Sequence, residues 1–274
     1  KTMSAGILVL GPLLTKYRKA KVSLPGGCAI GSRPVNLHLF ALKKLGAKIK
    51  IKDGYIIAEA KKGLVGASIK FPSNSVGATE NALIAAIGAK GKTILYNCAI
   101  EPEILDLISY LKKLGSQIKI LGRKIIVKGK RVNRKKINHK IIFDRIEAGT
   151  YLVAGALIGK KIIIKKVVPK VFKNEINILK KMGVPISYDK NSIAIKRSKN
   201  LRNIIVSTKP YPGFPTDLQA QLMVLMTRAK GKSKIKENIF ENRFMHVPEL
   251  KRMCANIIIK NKTDIVDGPT KLTG

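Results

Sequence analysis

Cys28 lies between two glycine positions in the segment LPGGCAIGSRPVNLHL, which runs from Leu24 to Leu39 and also carries Arg33. A nearby cation favours the thiolate, and a thiol in such a loop serves as a proton donor or as a nucleophile. On spacing alone an inert thiol is the better account. Pro25, Gly26, Gly27, Gly31 and Pro34 predict a loop that approaches a ligand closely and moves as a lid. The guanidinium of Arg33 suits phosphate or carboxylate, although an isolated Arg is more often a surface residue.

Four further groups have chemistry-bearing side chains at helix starts or beside them. SNSVGATEN, from Ser73, places hydroxyls where exposed helix amides hold an anion or where a hydroxyl simply caps the helix. DRIEAGT, from Asp144, carries Arg145 and Glu147, which also fit a structural ion pair. In YPGFPTDLQAQ, from Tyr211, Asp217 follows two prolines at a helix start. Capping is the simpler role for such a carboxylate, and general-base work is the alternative. FENRFMHVPEL, from Phe240, contains Arg243 and His246. His38 and His246 are not spaced as a metal pair on one helix face, so no metal is assigned and no cofactor is expected.

The elements that must position these groups form a repeat. LKKLGAKIKIKDGYIIA from Leu42 returns as LKKLGSQIKILGRKIIV from Leu111, LKKMGVPISYDKNSIAI from Leu179 and LKRMCANIIIKNKTDIV from Leu250. Each reads as a helix stopped at a Gly, followed by two strands of alternating apolar residues joined by a tight turn. Cys254 replaces that Gly in the fourth copy, which makes its helix end the least defined. A strand phrase precedes each copy, GKTILYN at Gly91, GKKIIIKK at Gly159 and GKSKIKEN at Gly231, with Lys19 to Leu24 as the matching strand of the first. One unit therefore reads helix, strand, helix, strand, strand, and the first helix is expected over Thr2 to Leu14. The chain opens inside one such helix and closes after a strand pair, so further units are expected to flank it. The break between pairs of units falls near Ile141 to Asp144, after a basic run from Lys128 to Lys140 that reads as a solvated hairpin or connector.

Length and composition suit two folded domains, with 45% hydrophobic and 26% charged residues. The net charge of +38 would suit a polyanion, but Lys supplies 43 of the 54 basic residues and is spread along the whole chain. That spread, without an aromatic-interleaved basic patch, zinc spacing or helix-turn-helix, argues against nucleic-acid binding. Cys28, Cys98 and Cys254 are far apart, which fits a reducing, cytoplasmic compartment. The apolar stretches from Gly6 to Leu14 and from Tyr151 to Gly159 are too short to span a membrane. Nothing in the sequence speaks to oligomeric state.

In collinear order, KTM at Lys1, LPGGC-x-IG-x-RPV-x-LH from Leu24, SVGAT from Ser75, EPEI from Glu101, DRIE-x-GT from Asp144, FPTD-x-QAQ from Phe214 and FENRFMHVPEL resemble the enolpyruvyl transferase family. Within the family the cysteine loop resembles the branch that acts on UDP-N-acetylglucosamine in peptidoglycan synthesis rather than the shikimate branch. The resemblance implies an α/β fold, an inside-out α/β barrel of repeated units in two domains with the active site in the cleft between them. Residues 1–142 would be the last two units of the first domain, including the loop at 24–39, and residues 143–274 the first two units of the second. It implies a transferase whose partners are phosphoenolpyruvate and UDP-N-acetylglucosamine, in a pathway on which cell shape and division depend.

Carried over by motif, Cys28 is the proton donor to the methylene carbon of phosphoenolpyruvate and the residue alkylated by fosfomycin. Asp217 is the base for the sugar 3-hydroxyl. Arg33, Pro34, Val35, Asn36, Leu37, Ser75, Val76 and Ile239 are the nucleotide-sugar contacts, and Arg145 joins the substrate-binding set through its motif. Three positions depart from the family pattern: Ser4 and Ile100 stand where arginines are expected, and Asn36 stands for an Asp. The competing reading is a catalytically inactive relic, or a basic binding protein, that retains the fold.

Overall fold

The computed structural model describes residues 4–25, 35–129 and 136–274, and places them in two compact units, one ending at Ile142 and the other spanning Phe143–Gly274. Cys28, Arg33, Pro34, the KTM motif and residues 130–135 of the basic run lie outside the described residues. Each unit has its own apolar core. Leu10, Leu42, Ile56, Leu83 and Ile104 lie in the first, and Leu152, Phe172, Ile193, Met223 and Ile235 in the second.

The first unit begins with a 3-10 helix at Ser4–Val9, then α1 (Leu10–Tyr17), β1 (Lys19–Ser23), α2 (Asn36–Lys44), β2 (Lys48–Lys52) and β3 (Tyr55–Glu59). It continues with β4 (Ser68–Lys70), α3 (Val76–Ile87), β5 (Lys92–Tyr96), α4 (Pro102–Lys113), β6 (Gln117–Leu121) and β7 (Lys124–Lys128). In the second unit α5 (Arg145–Leu157), β8 (Ile162–Lys165), α6 (Lys173–Lys181), β9 (Ile186–Tyr188) and β10 (Ser192–Ile195) precede β11 (Ile205–Ser207), α7 (Gln219–Met226), β12 (Gly231–Lys236), α8 (Val247–Arg252), β13 (Asn256–Lys260) and β14 (Thr263–Gly268).

The repeat is visible in the sheets. Two are three-stranded, in the orders β1-β3-β2 and β8-β10-β9, and two are four-stranded, in the orders β4-β5-β7-β6 and β11-β12-β14-β13. The extra strands β4 and β11 pair in parallel with β5 and β12, while the other ladders are antiparallel. Sequence reading misses both, because they lie outside the repeated phrases and three residues alone are too few to establish an alternation. The expected first helix also differs. It starts as a 3-10 helix and ends at Tyr17 rather than Leu14.

Every repeat phrase closes its helix in the same way. Gly46, Gly115, Gly183 and Cys254 have φ of 93°, 93°, 85° and 69°. The amides of the next residues, Ala47, Ser116, Val184 and Ala255, donate back to Leu42, Leu111, Leu179 and Leu250 at 2.9 to 3.1 Å. This is the Schellman geometry that satisfies the last helix carbonyls. The fourth helix therefore ends where the others do, although its left-handed residue is a cysteine. In the first phrase the turn at Asp53 and Gly54, with φ of 51° and 74°, sets Lys52 opposite Tyr55. Two left-handed residues are what a tight hairpin of this twist requires.

The described end of the basic run, residues 136–140, forms no strand, as a connector would, but it is tied to α4 rather than fully solvated. His139 Nε2 lies 3.1 Å from both carboxylate oxygens of Asp106 on α4, its ring meets Tyr110 edge-on at 5.4 Å, and Lys113 Nζ donates to the Asn138 carbonyl. One histidine with a carboxylate and an aromatic ring opposite it is enough to fasten the segment. Among the described residues no helix is long and apolar enough to cross a membrane.

Candidate active site

In the first unit the expected sugar contacts occupy two adjacent helix starts. Val35 precedes α2, where Asn36 is exposed while Val35 and Leu37 rest against the core. Ser75 caps α3, its Oγ accepting the Ala78 amide at 3.3 Å, and Val76 follows it at the surface. A Cβ on Gly77 would sit 3.0 Å from His38 Cε1, so α2 and α3 touch within their first turns. Backbone amides without helical partners gather there, and with the helix dipoles they favour an anion.

His38 is buried and serves this junction. Asn81 Oδ1 accepts the Gly11 amide at 2.7 Å, so its Nδ2 faces His38 Nδ1, 3.2 Å away, as a donor. The imidazole proton then resides on Nε2, and burial lowers the His38 pKa to about 4, which leaves the ring neutral at pH 7. At the EPEI motif Glu101 is buried, Pro102 opens α4, and the Glu80 carboxyl is raised by burial and by Glu103 and Glu101. The Cys98 thiol is pushed up to about 12 by burial, which makes it unreactive.

In the second unit Asp217 is not a cap. It sits inside a 3-10 helix at Thr216–Leu218, and its Oδ1 accepts from Arg243 at 2.5 Å. The Arg243 side chain is 17% exposed and that of Asp217 51%, so the pair opens toward solvent on the carboxylate side. The Arg243 guanidinium also lies 5.4 Å from the centre of the Phe240 ring. Ile239 is exposed in the same turn, and its amide donates to Glu237 Oε1 at 2.6 Å. Arg145 opens α5, which Asp144 caps by accepting the Ile146 and Glu147 amides. Its guanidinium lies 5.8 Å from the centre of the Tyr211 ring, in the loop leading to Asp217. The His246 pKa is lowered by burial first and by the Arg243 guanidinium second.

Asp217, Ile239 and Arg243 thus converge in one unit, and Val35, Asn36, Leu37, Ser75 and Val76 in the other. Sequence reasoning missed Glu237, which has four hydrogen-bond donors around a carboxylate that is 1% exposed. Nothing at the end of a lysine-rich strand signals that role. Among the described residues no three His, Cys, Asp or Glu side chains form a metal-holding group.

A family model described as EPSP synthase (3-phosphoshikimate 1-carboxyvinyltransferase) matches residues 1–274. The chain belongs to this family. Among its relatives, the UDP-N-acetylglucosamine 1-carboxyvinyltransferase of Pelagibacter ubique is 58% identical over 272 residues, covering 99% of this chain and 65% of its own length. The protein of the same name from Endomicrobium trichonymphae is 50% identical, covering 100% of this chain and 66% of its own length. The chain therefore spans about two thirds of the length of these relatives.

The family fold is the observed one. The enolpyruvyl transferase NikO of Streptomyces tendae superposes with a TM-score of 0.83 at 21% identity, covering 96% of this chain and 63% of that one. EPSP synthase from Acinetobacter baumannii gives 0.69 at 19% identity, with 97% and 64% covered. At those identities the likeness concerns the α/β fold alone.

Proposed function

We propose that this chain is part of an enzyme that transfers enolpyruvate from phosphoenolpyruvate to the 3-hydroxyl of UDP-N-acetylglucosamine and releases phosphate. The observation that carries the reading is the 58% identity, along nearly the whole chain, to a relative named for that reaction. The reaction supplies peptidoglycan precursors in the cytoplasm and needs no cofactor. Residues up to 142 are the last two units of one family domain, and those from 143 the first two of the next.

Asp217 takes the proton of the sugar 3-hydroxyl as its oxygen bonds to C2 of phosphoenolpyruvate, and Cys28 delivers a proton to C3. The tetrahedral intermediate then loses phosphate from C2 and a proton from C3, restoring the double bond as an enol ether. Arg33, Pro34, Val35, Asn36, Leu37, Ser75, Val76, Arg145 and Ile239 hold the substrates. The amides at the starts of α2 and α3 suit their phosphates. Arg243 holds the Asp217 carboxylate, which stays half exposed.

Ser4 and Ile100, in place of expected arginines, favour a second reading, an inactive protein that keeps the fold. Phosphate release from phosphoenolpyruvate, measured on the full-length protein with and without UDP-N-acetylglucosamine, decides between them. Sugar-dependent release that collapses in Cys28→Ala supports the transferase. No release from the folded protein establishes the inactive one.

A further inference from the structure

We infer that Glu237 is the positioning residue for the Asp217–Arg243 pair, an inference that rests on the reading of Asp217 as the base for the sugar hydroxyl. Glu237 directly follows β12 and is 1% exposed. A buried carboxylate is costly unless its oxygens are met by donors, and here each donor comes from a segment that bears on the pair.

Oε2 accepts the hydroxyl of Thr216, at 2.9 Å, and Thr216 is the residue before Asp217. Oε1 accepts the amides of Ile239 at 2.6 Å and Phe240 at 3.1 Å, and the hydroxyl of Thr208 at 2.9 Å. Thr208 Oγ1 in turn accepts the Asn238 amide at 2.9 Å, which orients its own proton toward Glu237.

These contacts close a ring. Glu237 holds the Phe240 amide, the Phe240 ring lies under the Arg243 guanidinium, Arg243 donates to Asp217, and the neighbour of Asp217 returns to Glu237. Asp217 and Arg243 are 26 residues apart, the first on a single 3-10 turn and the second on an irregular loop. The parallel ladder of β11 and β12 ends at Ser207 and Lys236, short of both segments, and Glu237 carries the link from there to Thr216 and to the loop of Arg243. A general base must be held within hydrogen-bond reach of its proton, so an error of about 1 Å costs on the order of a hundredfold in rate.

The substitutions are graded by chemistry. Glu237→Ala removes every acceptor. Glu237→Gln keeps one oxygen for Thr208 and the two amides, and its NH2 donates to Thr216 once that hydroxyl rotates to accept. Thr216→Val breaks only the link to the Asp217 helix at nearly constant shape.

The test is phosphate release by the full-length protein, with each of UDP-N-acetylglucosamine and phosphoenolpyruvate varied in turn at saturation of the other, alongside thermal melting. Expected results are a kcat loss of about a hundredfold in Glu237→Ala, recovery to within about tenfold in Glu237→Gln, and an intermediate loss in Thr216→Val, with KM for phosphoenolpyruvate unchanged. In an Asp217→Ala background, Glu237→Ala should lower the residual rate no further, because it acts through Asp217. Should Glu237→Ala fail to fold, Gln and Thr216→Val carry the comparison. Full activity in folded Thr216→Val and Glu237→Ala, or losses that multiply in the double variant, overturns the inference alone. No sugar-dependent release by the unaltered protein overturns the reading of the site and this inference with it.

Discussion

Asn81 bridges the Gly11 amide and the Ile7 carbonyl. Its Oδ1 accepts the Gly11 amide at 2.7 Å and its Nδ2 donates to the Ile7 carbonyl at 2.9 Å, where the 3-10 helix gives way to α1. The approach is close enough to exclude any side chain, since a Cβ on Gly11 would lie 2.3 Å from that oxygen. Asn81→Ala leaves a buried amide and a buried carbonyl unmatched, and should lower stability by about 2–4 kcal/mol in urea unfolding. Gly11→Ala should do comparable damage by pushing Asn81 out of the gap.

Cys254 carries the left-handed conformation that glycine carries in the three other repeat phrases, at φ of 69°. A Cβ in that region costs about 1–2 kcal/mol, partly offset by the greater freedom that Gly has when unfolded. Its side chain is exposed, with Sγ 3.3 Å from Thr273 Oγ1. Cys254→Gly should therefore stabilise the protein by about 0.5–1 kcal/mol, read as a higher melting temperature. An unchanged or lower value would contradict the strain assigned to this position.

The contrast between Gly46 and Asn81 shows what the sequence makes legible. Gly46, the leucines before it and the alternating strand after it all lie within one stretch of chain, so local periodicity and turn chemistry suffice to read them. Asn81 acts on residues 70 and 74 positions away, and Glu237 on Thr208 29 positions away. No local pattern encodes such partners. Asp217 was legible as a carboxylate at a helix start, but its choice of Arg243 over capping depends on how the loop from Glu237 folds back. His139 was hidden among lysines, because its partners Asp106 and Tyr110 lie on a helix earlier in the chain.

Asp264 occupies the position held by Ile56, Ile125 and Ile193 in the other three phrases, all of them essentially fully buried. Asp264 is fully buried too, neither of its carboxylate oxygens has a hydrogen-bond partner among the described residues, and burial pushes its pKa up to about 7 against the weaker pull of Lys251. The folded state therefore retains a proton that the unfolded chain releases near pH 4. The stability contributed by this group is fully present below about pH 4 and is lost as pH rises through about 7. Asp264→Val and Asp264→Asn should both flatten that slope. At pH 8 the Val variant should be more stable by about 1–3 kcal/mol. Urea midpoints at pH 5 and pH 8 check this, and equal gains at both would show that the charge is not the cause.

Arg243 separates stability from activity. Its ion pair with Asp217 is open to solvent on the carboxylate side, so Arg243→Ala should cost no more than about 1 kcal/mol of folding stability. If Asp217 is the base, the same variant frees that carboxylate to swing away from the sugar, and sugar-dependent phosphate release should fall by about ten- to a hundredfold. Arg243→Lys keeps the charge but loses the planar fork that reaches Asp217 while lying against Phe240, so it should recover only part of the rate. A Lys variant with full activity would mean that charge alone suffices. An Ala variant with full activity would show that Arg243 does not hold Asp217 for its work.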